Sequence, residues 1–227
     1  TRSLPETGRF LALHEEQVHH TEVETHIHRD RLWLQVAVAI LTNVFVATAS
    51  IFQSRYLKDV RGFSALEISM FIALTTIPAT IGLVAGGRLA DKVGRKAVAI
   101  VTVPTGTLLF ASSFALQGLS MWLIAIAGGV LLGISYPAMA VFRSELFPTA
   151  HRNMASILIM VASLIGGSVG LIVAGYLLDN GMSYGRVMLT FALGPVIVAA
   201  LVAAKYPETA HRELEDINPQ DRTNSET

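Results

Sequence analysis

The chain has 227 residues, of which 52% are hydrophobic and 15% are charged, and this composition argues against a water-soluble domain with a polar shell. The 17 basic and 17 acidic residues balance, so the net charge gives no reason to expect a nucleic-acid partner. The absence of cysteine excludes disulfides, thiolate metal ligands and a cysteine nucleophile.

Residues 1–31 carry charges of both signs and lack an apolar run, so we interpret them as a cytoplasmic connector that precedes the membrane region. Five of the seven histidines lie in this segment, at His14, His19, His20, His26 and His28. Imidazole is a common metal ligand, but the spacings here fit no defined ligand pattern. A solvated linker is therefore the favoured interpretation, and we predict no metal site and no cofactor.

Most of the remaining chain falls into apolar stretches without Asp, Glu, Lys, Arg or His, and these are 32–54, 68–87, 97–142, 153–178 and 187–204. A helix needs about 20 apolar residues to cross a hydrocarbon core that is about 30 Å thick. As one helix, residues 97–142 would be about 69 Å long, so this stretch must turn back once. The turn is expected at Gln117-Gly118, where a polar residue meets a helix-weakening one.

The sequence thus predicts an all-α membrane bundle over residues 32–205, followed by a cytoplasmic tail over 206–227. Its six spans are predicted at 32–55, 64–88, 96–116, 119–142, 153–178 and 184–205. Helices are favoured over barrel strands because the stretches are continuously apolar and a helix satisfies its own backbone hydrogen bonds in lipid. A soluble core of buried helices is disfavoured because almost no segment has a polar face.

Basic residues divide unequally between the two sides of the predicted bundle. With six spans both ends share one side, which would hold 13 basic residues, while the opposite side would hold 4. Because the side richer in Lys and Arg stays inside, both ends of this chain are predicted to be cytoplasmic, in the plasma membrane.

The loop between the second and third predicted spans carries the pattern G-x-x-x-D-x-x-G-R-K, formed by Gly87, Asp91, Gly94, Arg95 and Lys96. An ordinary positive-inside loop would also be basic. The pattern itself, however, resembles the cytoplasmic signature of the major facilitator superfamily.

Three other segments are similar to the sugar-porter and metabolite:proton-symporter branches of that superfamily. Glu145, Pro148 and Arg152 match an E-x-x-P-x-x-x-R pattern between the fourth and fifth spans. The segment 206–217, YPETAHRELEDI, resembles the P-E-T…L-E-E-I tail. The segment 4–12, LPETGRFLA, resembles the P-E-S-P-R-[FWY]-L stretch that follows the sixth helix of such proteins.

The resemblance implies a twelve-helix bundle in which two six-helix halves rock about a substrate site near the membrane midplane. This chain matches the connector and the C-terminal half, and it begins Thr-Arg without an initiator Met. We therefore expect a fragment that packs against membrane lipid and a missing N-terminal six-helix half. The resemblance also implies a cytoplasmic gating network that parts when the bundle tilts, formed by Asp91, Arg95, Lys96, Glu145, Arg152 and Glu208.

Polar residues inside the spans are candidates for lining the substrate path, because an unpaired polar atom in hydrocarbon is costly. The candidates are Gln35, Asn43, Thr76, Ser135 and Tyr136. Asn43 ranks first because it lies at central depth in the first span. For the Thr and Ser residues the alternative is a hydrogen bond to their own helix backbone.

No catalytic constellation is visible, so we predict that the protein is not an enzyme. We predict a secondary active transporter that moves a small polar metabolite, such as a sugar or organic acid, by alternating access with proton coupling. The first span lacks the glutamine pair and aromatic cluster typical of sugar porters, which argues against a hexose. A proton-carrying acid is expected in the missing half, since the charge-free stretches contain none. The alternative is a non-transporting membrane receptor or assembly subunit that retains the fold.

Overall fold

The computed structural model describes residues 29–145, 147 and 152–206, except for the side chains of 143–145 and 152. This part of the chain contains six helices that are long and apolar enough to cross a membrane. They are α1 Arg29–Asp59, α2 Ala65–Val93, α3 Arg95–Ser112, α4 Gly118–Glu145, α5 Arg152–Asp179 and α6 Tyr184–Lys205. The predicted all-α membrane fold is confirmed. The connector and tail assignments fall almost entirely outside the described residues and stay predictions.

Local sequence signals account for where two of the helices begin. Ser64 caps α2, because its hydroxyl accepts a hydrogen bond from the Glu67 amide while the Glu67 carboxylate accepts one from the Ser64 amide. This reciprocal pair is the capping box that a Ser followed three residues later by Glu predicts. A short 3₁₀ turn, Ser113–Ala115, ends the third helix, and Gly118 then opens α4 with a φ of 56°, a conformation that favours glycine.

The six helices pack in a pattern with internal symmetry. Helix α1 packs mainly on α5 and also on α6, while α4 packs mainly on α2 and also on α3. Helices α3 and α6 pack on each other. Exchanging α1–α3 with α4–α6 maps this set of contacts onto itself. Related helices are three positions apart in the chain, and successive helices alternate in direction, so the two three-helix units are inverted relative to each other.

Glycine pairs allow the closest helix contacts. A methyl group added at Gly82 of α2 would lie 2.6 Å from the carbonyl oxygen of Val130 in α4. A methyl group added at Gly166 of α5 would lie 2.8 Å from Cα of Ile40 in α1. Small residues spaced four apart let helix backbones approach where lipid offers no hydrophobic drive for association. The G-x-x-x-G patterns of this sequence therefore serve packing.

Two clusters of buried apolar residues lie toward the two ends of the bundle. At one end, which we call the Tyr206 end, the rings of Phe142 and Tyr206 meet edge to face with centroids 5.0 Å apart. At the other, which we call the Tyr56 end, the centroid of the Tyr56 ring lies 5.1 Å from that of Phe114 and 5.5 Å from that of Tyr184. Buried aromatic residues thus bracket the middle of the bundle at both ends.

Helices α2 and α5 carry much of the outward apolar surface. On α2, for example, Ile77 and Ile81 are 61% and 67% exposed, and on α5 Leu164 and Ile172 are 61% and 72% exposed. Monomeric soluble proteins rarely expose such contiguous apolar surface. The chain is therefore a multi-pass membrane protein, with these faces turned to lipid or to other membrane helices.

Candidate functional site

A cavity of about 670 Å³ lies between the two apolar clusters, and we call it the main cavity. Helices α1, α3, α4, α5 and α6 all contribute to its wall. Four of the five predicted substrate-path residues border it together: Gln35, Asn43, Ser135 and Tyr136. No charged side chain is among the described residues that line it. The site is thus concave, mostly apolar and set with a few uncharged polar groups, as small-molecule sites commonly are.

Asn43, the first-ranked candidate, has a structural bond as well as a place in the cavity wall. Its Nδ2 donates to the backbone oxygen of Ser163 at 2.6 Å, which joins α1 to α5. The carbonyl oxygen of the same amide keeps its hydrogen-bonding capacity for another group. Asn43 therefore couples the position of α1 to that of α5 at the edge of the cavity.

Three buried polar atoms in the wall of the main cavity lack a hydrogen-bond partner among the described residues. They are Nε2 of Gln35 and the hydroxyl oxygens of Thr42 and Thr107. Sequence reasoning found Gln35 but missed Thr42 and Thr107. Every span contains similar residues, and only the tertiary packing around Thr42 and Thr107 separates these two from the others.

Ser135 follows the alternative considered for hydroxyl residues. Its Oγ donates to the backbone oxygen of Leu132 at 2.7 Å, within its own helix. It still borders the main cavity with Tyr136, the next residue of α4. Tyr136 is 65% exposed and therefore presents a large, accessible aromatic surface there.

Thr76, the fifth candidate, lies apart from the other four. It borders a smaller cavity of about 340 Å³, whose wall includes Gln53 of α1 and Thr80 of α2. Leu132 and Tyr136 of α4 border both cavities. The two cavities therefore follow one another along the bundle, with α4 side chains between them.

The predicted gating network is described only in part. Arg95 Nη2 lies 3.9 Å from Asp91 Oδ1, across the Gly94 break between α2 and α3. Lys96 donates from Nζ to the backbone oxygen of Tyr206 at 2.9 Å, which joins the start of α3 to the end of α6. The side chains of Glu145 and Arg152, and all of Glu208, lie outside the described residues. The structure thus shows that Arg95 and Lys96 are held by contacts at the Tyr206 end of the bundle.

Six apolar helices, an inverted three-helix repeat and a central uncharged cavity define a class of protein, the helical membrane transporters built from inverted repeats. A family model described as Major Facilitator Superfamily matches residues 32–225, most of the chain. The chain therefore belongs to the Major Facilitator Superfamily, and its relatives are transporters rather than enzymes.

Individual relatives include a gallate transporter of Pseudomonas putida, 24% identical over 78% of this chain and 40% of the relative. A cis,cis-muconate transport protein of Acinetobacter baylyi is 27% identical over 70% of this chain and 38% of the relative. Among solved structures, a proton:xylose symporter, XylE, superimposes with a TM-score of 0.63 at 14% identity. That match covers 81% of this chain and 46% of the symporter, so the chain spans less than half of the proteins it resembles.

Proposed function

We propose that this chain is the C-terminal half of a secondary transporter that carries a small organic acid across the plasma membrane by alternating access. The observation that carries the proposal is the main cavity, which gathers Gln35, Asn43 and Tyr136 between the two apolar clusters. A site of this kind near the middle of an inverted repeat is where transporters of this architecture bind their substrates.

The organic-acid class is supported by the relatives named for gallate and muconate transport. Both names describe carboxylates, and gallate also carries ring hydroxyls. The main cavity offers hydroxyl and amide groups that suit the uncharged part of such a molecule. Its charge would be met by the other half of the transporter.

Substrate flux tests this proposal. The whole protein that contains this chain, reconstituted in liposomes, should accumulate labelled gallate or muconate faster than empty liposomes do. Xylose serves as the sugar comparison, and uptake of xylose alone would replace the organic-acid class with a sugar. Absence of flux for all three would favour the alternative of a non-transporting receptor or assembly subunit.

We further propose that transport is driven by protons. The described lining of the main cavity contains no acid, so the proton-carrying group would belong to the half that this chain lacks. An inward pH gradient across the liposomes should increase the initial uptake rate. If flux is present but its initial rate does not depend on the pH gradient, proton coupling is contradicted. The proposal of transport itself would still hold.

We also propose that the Tyr206 end faces the cytoplasm. This chain contains no cysteine, so a cysteine introduced into it is labelled without background from this half, once any cysteine in the rest of the protein has been replaced. Lys92 and Gln117 are exposed at opposite ends of the bundle and provide a matched pair. An impermeant maleimide added to intact cells should label Gln117→Cys but not Lys92→Cys, and the reverse pattern would overturn the orientation.

The gating network is proposed to stabilise one of the two end states of the transport cycle. The pair of Asp91 and Arg95 is partly exposed, so it contributes up to about 1 kcal/mol, or about fivefold in the ratio of the two states. Asp91→Asn and Arg95→Ala should lower the uptake rate while membrane insertion stays normal. Arg55, paired with Asp59 on the exposed surface at the other end, gives the control variant Arg55→Gln. Normal uptake by both variants would contradict the proposal that the network stabilises one end state.

A further inference from the structure

The unpartnered polar atoms of the main cavity point to how this half selects its substrate. Gln35 is 4% exposed and Thr107 is 1% exposed, yet neither Gln35 Nε2 nor the Thr107 hydroxyl has a partner among the described residues. The Thr42 hydroxyl is buried in the same way. All three residues border one cavity, although they come from two different helices, α1 and α3.

Other buried threonines in the same helices behave differently. On α3, Thr102 is buried and donates to the backbone oxygen of Val98 at 2.8 Å. On α1, Thr48 is fully buried and donates to the backbone oxygen of Val44 at 2.6 Å. This is the ordinary way for a hydroxyl inside a membrane helix to satisfy itself. Thr42 and Thr107 leave that bond unmade, and they are the ones that border the cavity.

A buried polar group is normally paired, so unused capacity beside a cavity indicates a ligand that supplies the missing partner. All three groups are uncharged: the amide nitrogen of Gln35 donates, and the two threonine hydroxyls can donate and accept. A carboxylate that is removed from water is met most strongly by a cationic donor. No such cation is among the described residues that line the cavity.

We propose that Gln35, Thr42 and Thr107 bind an uncharged hydroxyl or carbonyl group of the transported molecule. This half would thereby recognise the neutral polar substituents of the substrate. The inference rests on the proposed transport function and deepens it. The three atoms are covered in this structure, so binding turns them toward the cavity by a change of side-chain rotamer, which Thr makes by one χ1 rotation. A site built to hydrogen-bond a hydroxyl rejects the analogue that lacks it.

The experiment uses the reconstituted whole protein and measures uptake of labelled muconate. Two inhibitors that differ only in ring hydroxyls, gallate and benzoate, are compared. The wild-type protein should be inhibited more strongly by gallate. Thr107→Val removes the hydroxyl and keeps the side-chain shape, and it should reduce the preference by about threefold to tenfold, the range of one neutral hydrogen bond. Thr107→Ser, which restores a hydroxyl, should recover the preference.

Matched controls separate this effect from a general loss of structure. Thr102→Val lies on the same helix and removes a hydroxyl that is already paired within α3, so the preference should not change. Thr42→Val and its control Thr48→Val repeat the test on α1, and they decide the question if Thr107→Val does not fold.

The outcomes distinguish the inference from the function beneath it. No wild-type flux of any probe would overturn the proposed transport function. Wild-type flux with no preference for gallate, or a preference that Thr107→Val and Thr42→Val both leave unchanged, would overturn the selection proposal alone. An equal change in the control variants Thr102→Val and Thr48→Val would also overturn it, because the effect would then come from packing.

Discussion

The contact between α2 and α4 and the contact between α1 and α5, which we call the two seams, correspond to each other when the three-helix units are exchanged. Different residues form them, however. In the α2–α4 seam both helices contribute glycines, with Gly82 and Gly86 on α2 and Gly129 and Gly133 on α4. In the α1–α5 seam only α5 supplies glycines, which are Gly166, Gly167 and Gly170. Helix α1 instead contributes Asn43, whose side-chain amide donates a hydrogen bond to the backbone oxygen of Ser163 in α5.

The difference shows how one packing solution can be adapted to hold a site. Glycines on both sides press two backbones together and leave little room for polar side chains. Glycines on one helix alone leave room for the Asn43 side chain beside Gly167, and its amide joins the two helices at the edge of the main cavity. The α1–α5 seam therefore combines packing with a polar group at the main cavity, whereas Gly129 and Gly133 of the α2–α4 seam border the smaller cavity.

The largest effect is expected for Gly86→Ala in the α2–α4 seam. The added methyl group would overlap the backbone of Ile134, which cannot move without shifting α4. Overpacking of this kind should destabilise the protein by about 3 kcal/mol, measured as a fall in the thermal unfolding midpoint in detergent. Gly87→Ala is the control, since a methyl group there meets nothing within 4 Å. Equal midpoints for the two variants would contradict the close seam.

A smaller loss is expected for Gly166→Ala in the α1–α5 seam. Its methyl group would lie 2.8 Å from Cα of Ile40, a milder overlap than that at Gly86. The cost should be about 1 to 2 kcal/mol, measured as a smaller fall in the unfolding midpoint than for Gly86→Ala. Gly175→Ala on the same helix, where there is open space, is the control. A larger loss at Gly166 than at Gly86 would reverse the comparison.

Much of the fold could be predicted from sequence because lipid imposes strict backbone requirements. A charge-free stretch of the right length must be a spanning helix, and the Ser64 to Glu67 spacing marks where one begins. The pairing of helices could not be predicted in the same way. The pattern at Gly166 and Gly170 shows that a close contact exists, but whether its partner is α1 or another helix depends on the tertiary arrangement.

The candidate site was predictable to the extent that polarity inside a span is unusual. Gln35 and Asn43 stand out for that reason, and the structure places both at the main cavity. Thr107 does not stand out, because the sequence does not show whether a threonine hydroxyl is paired with its own helix. Thr102 and Thr107 share that helix, and only packing and rotamer distinguish them.

The smallest effect on stability, with the sharpest effect on function, is expected for Asn43→Leu. The change removes the bond to Ser163, and hydrogen bonds between membrane helices average about 0.6 kcal/mol and reach about 1.7. Uptake should fall much more than the unfolding midpoint does, since the same amide borders the cavity. Thr102→Val on α3 is the control, because its hydroxyl bonds to Val98 of its own helix and it borders neither cavity. If Asn43→Leu lowers the midpoint but spares uptake, the α1–α5 seam is only packing, and the contrast between the two seams no longer concerns function.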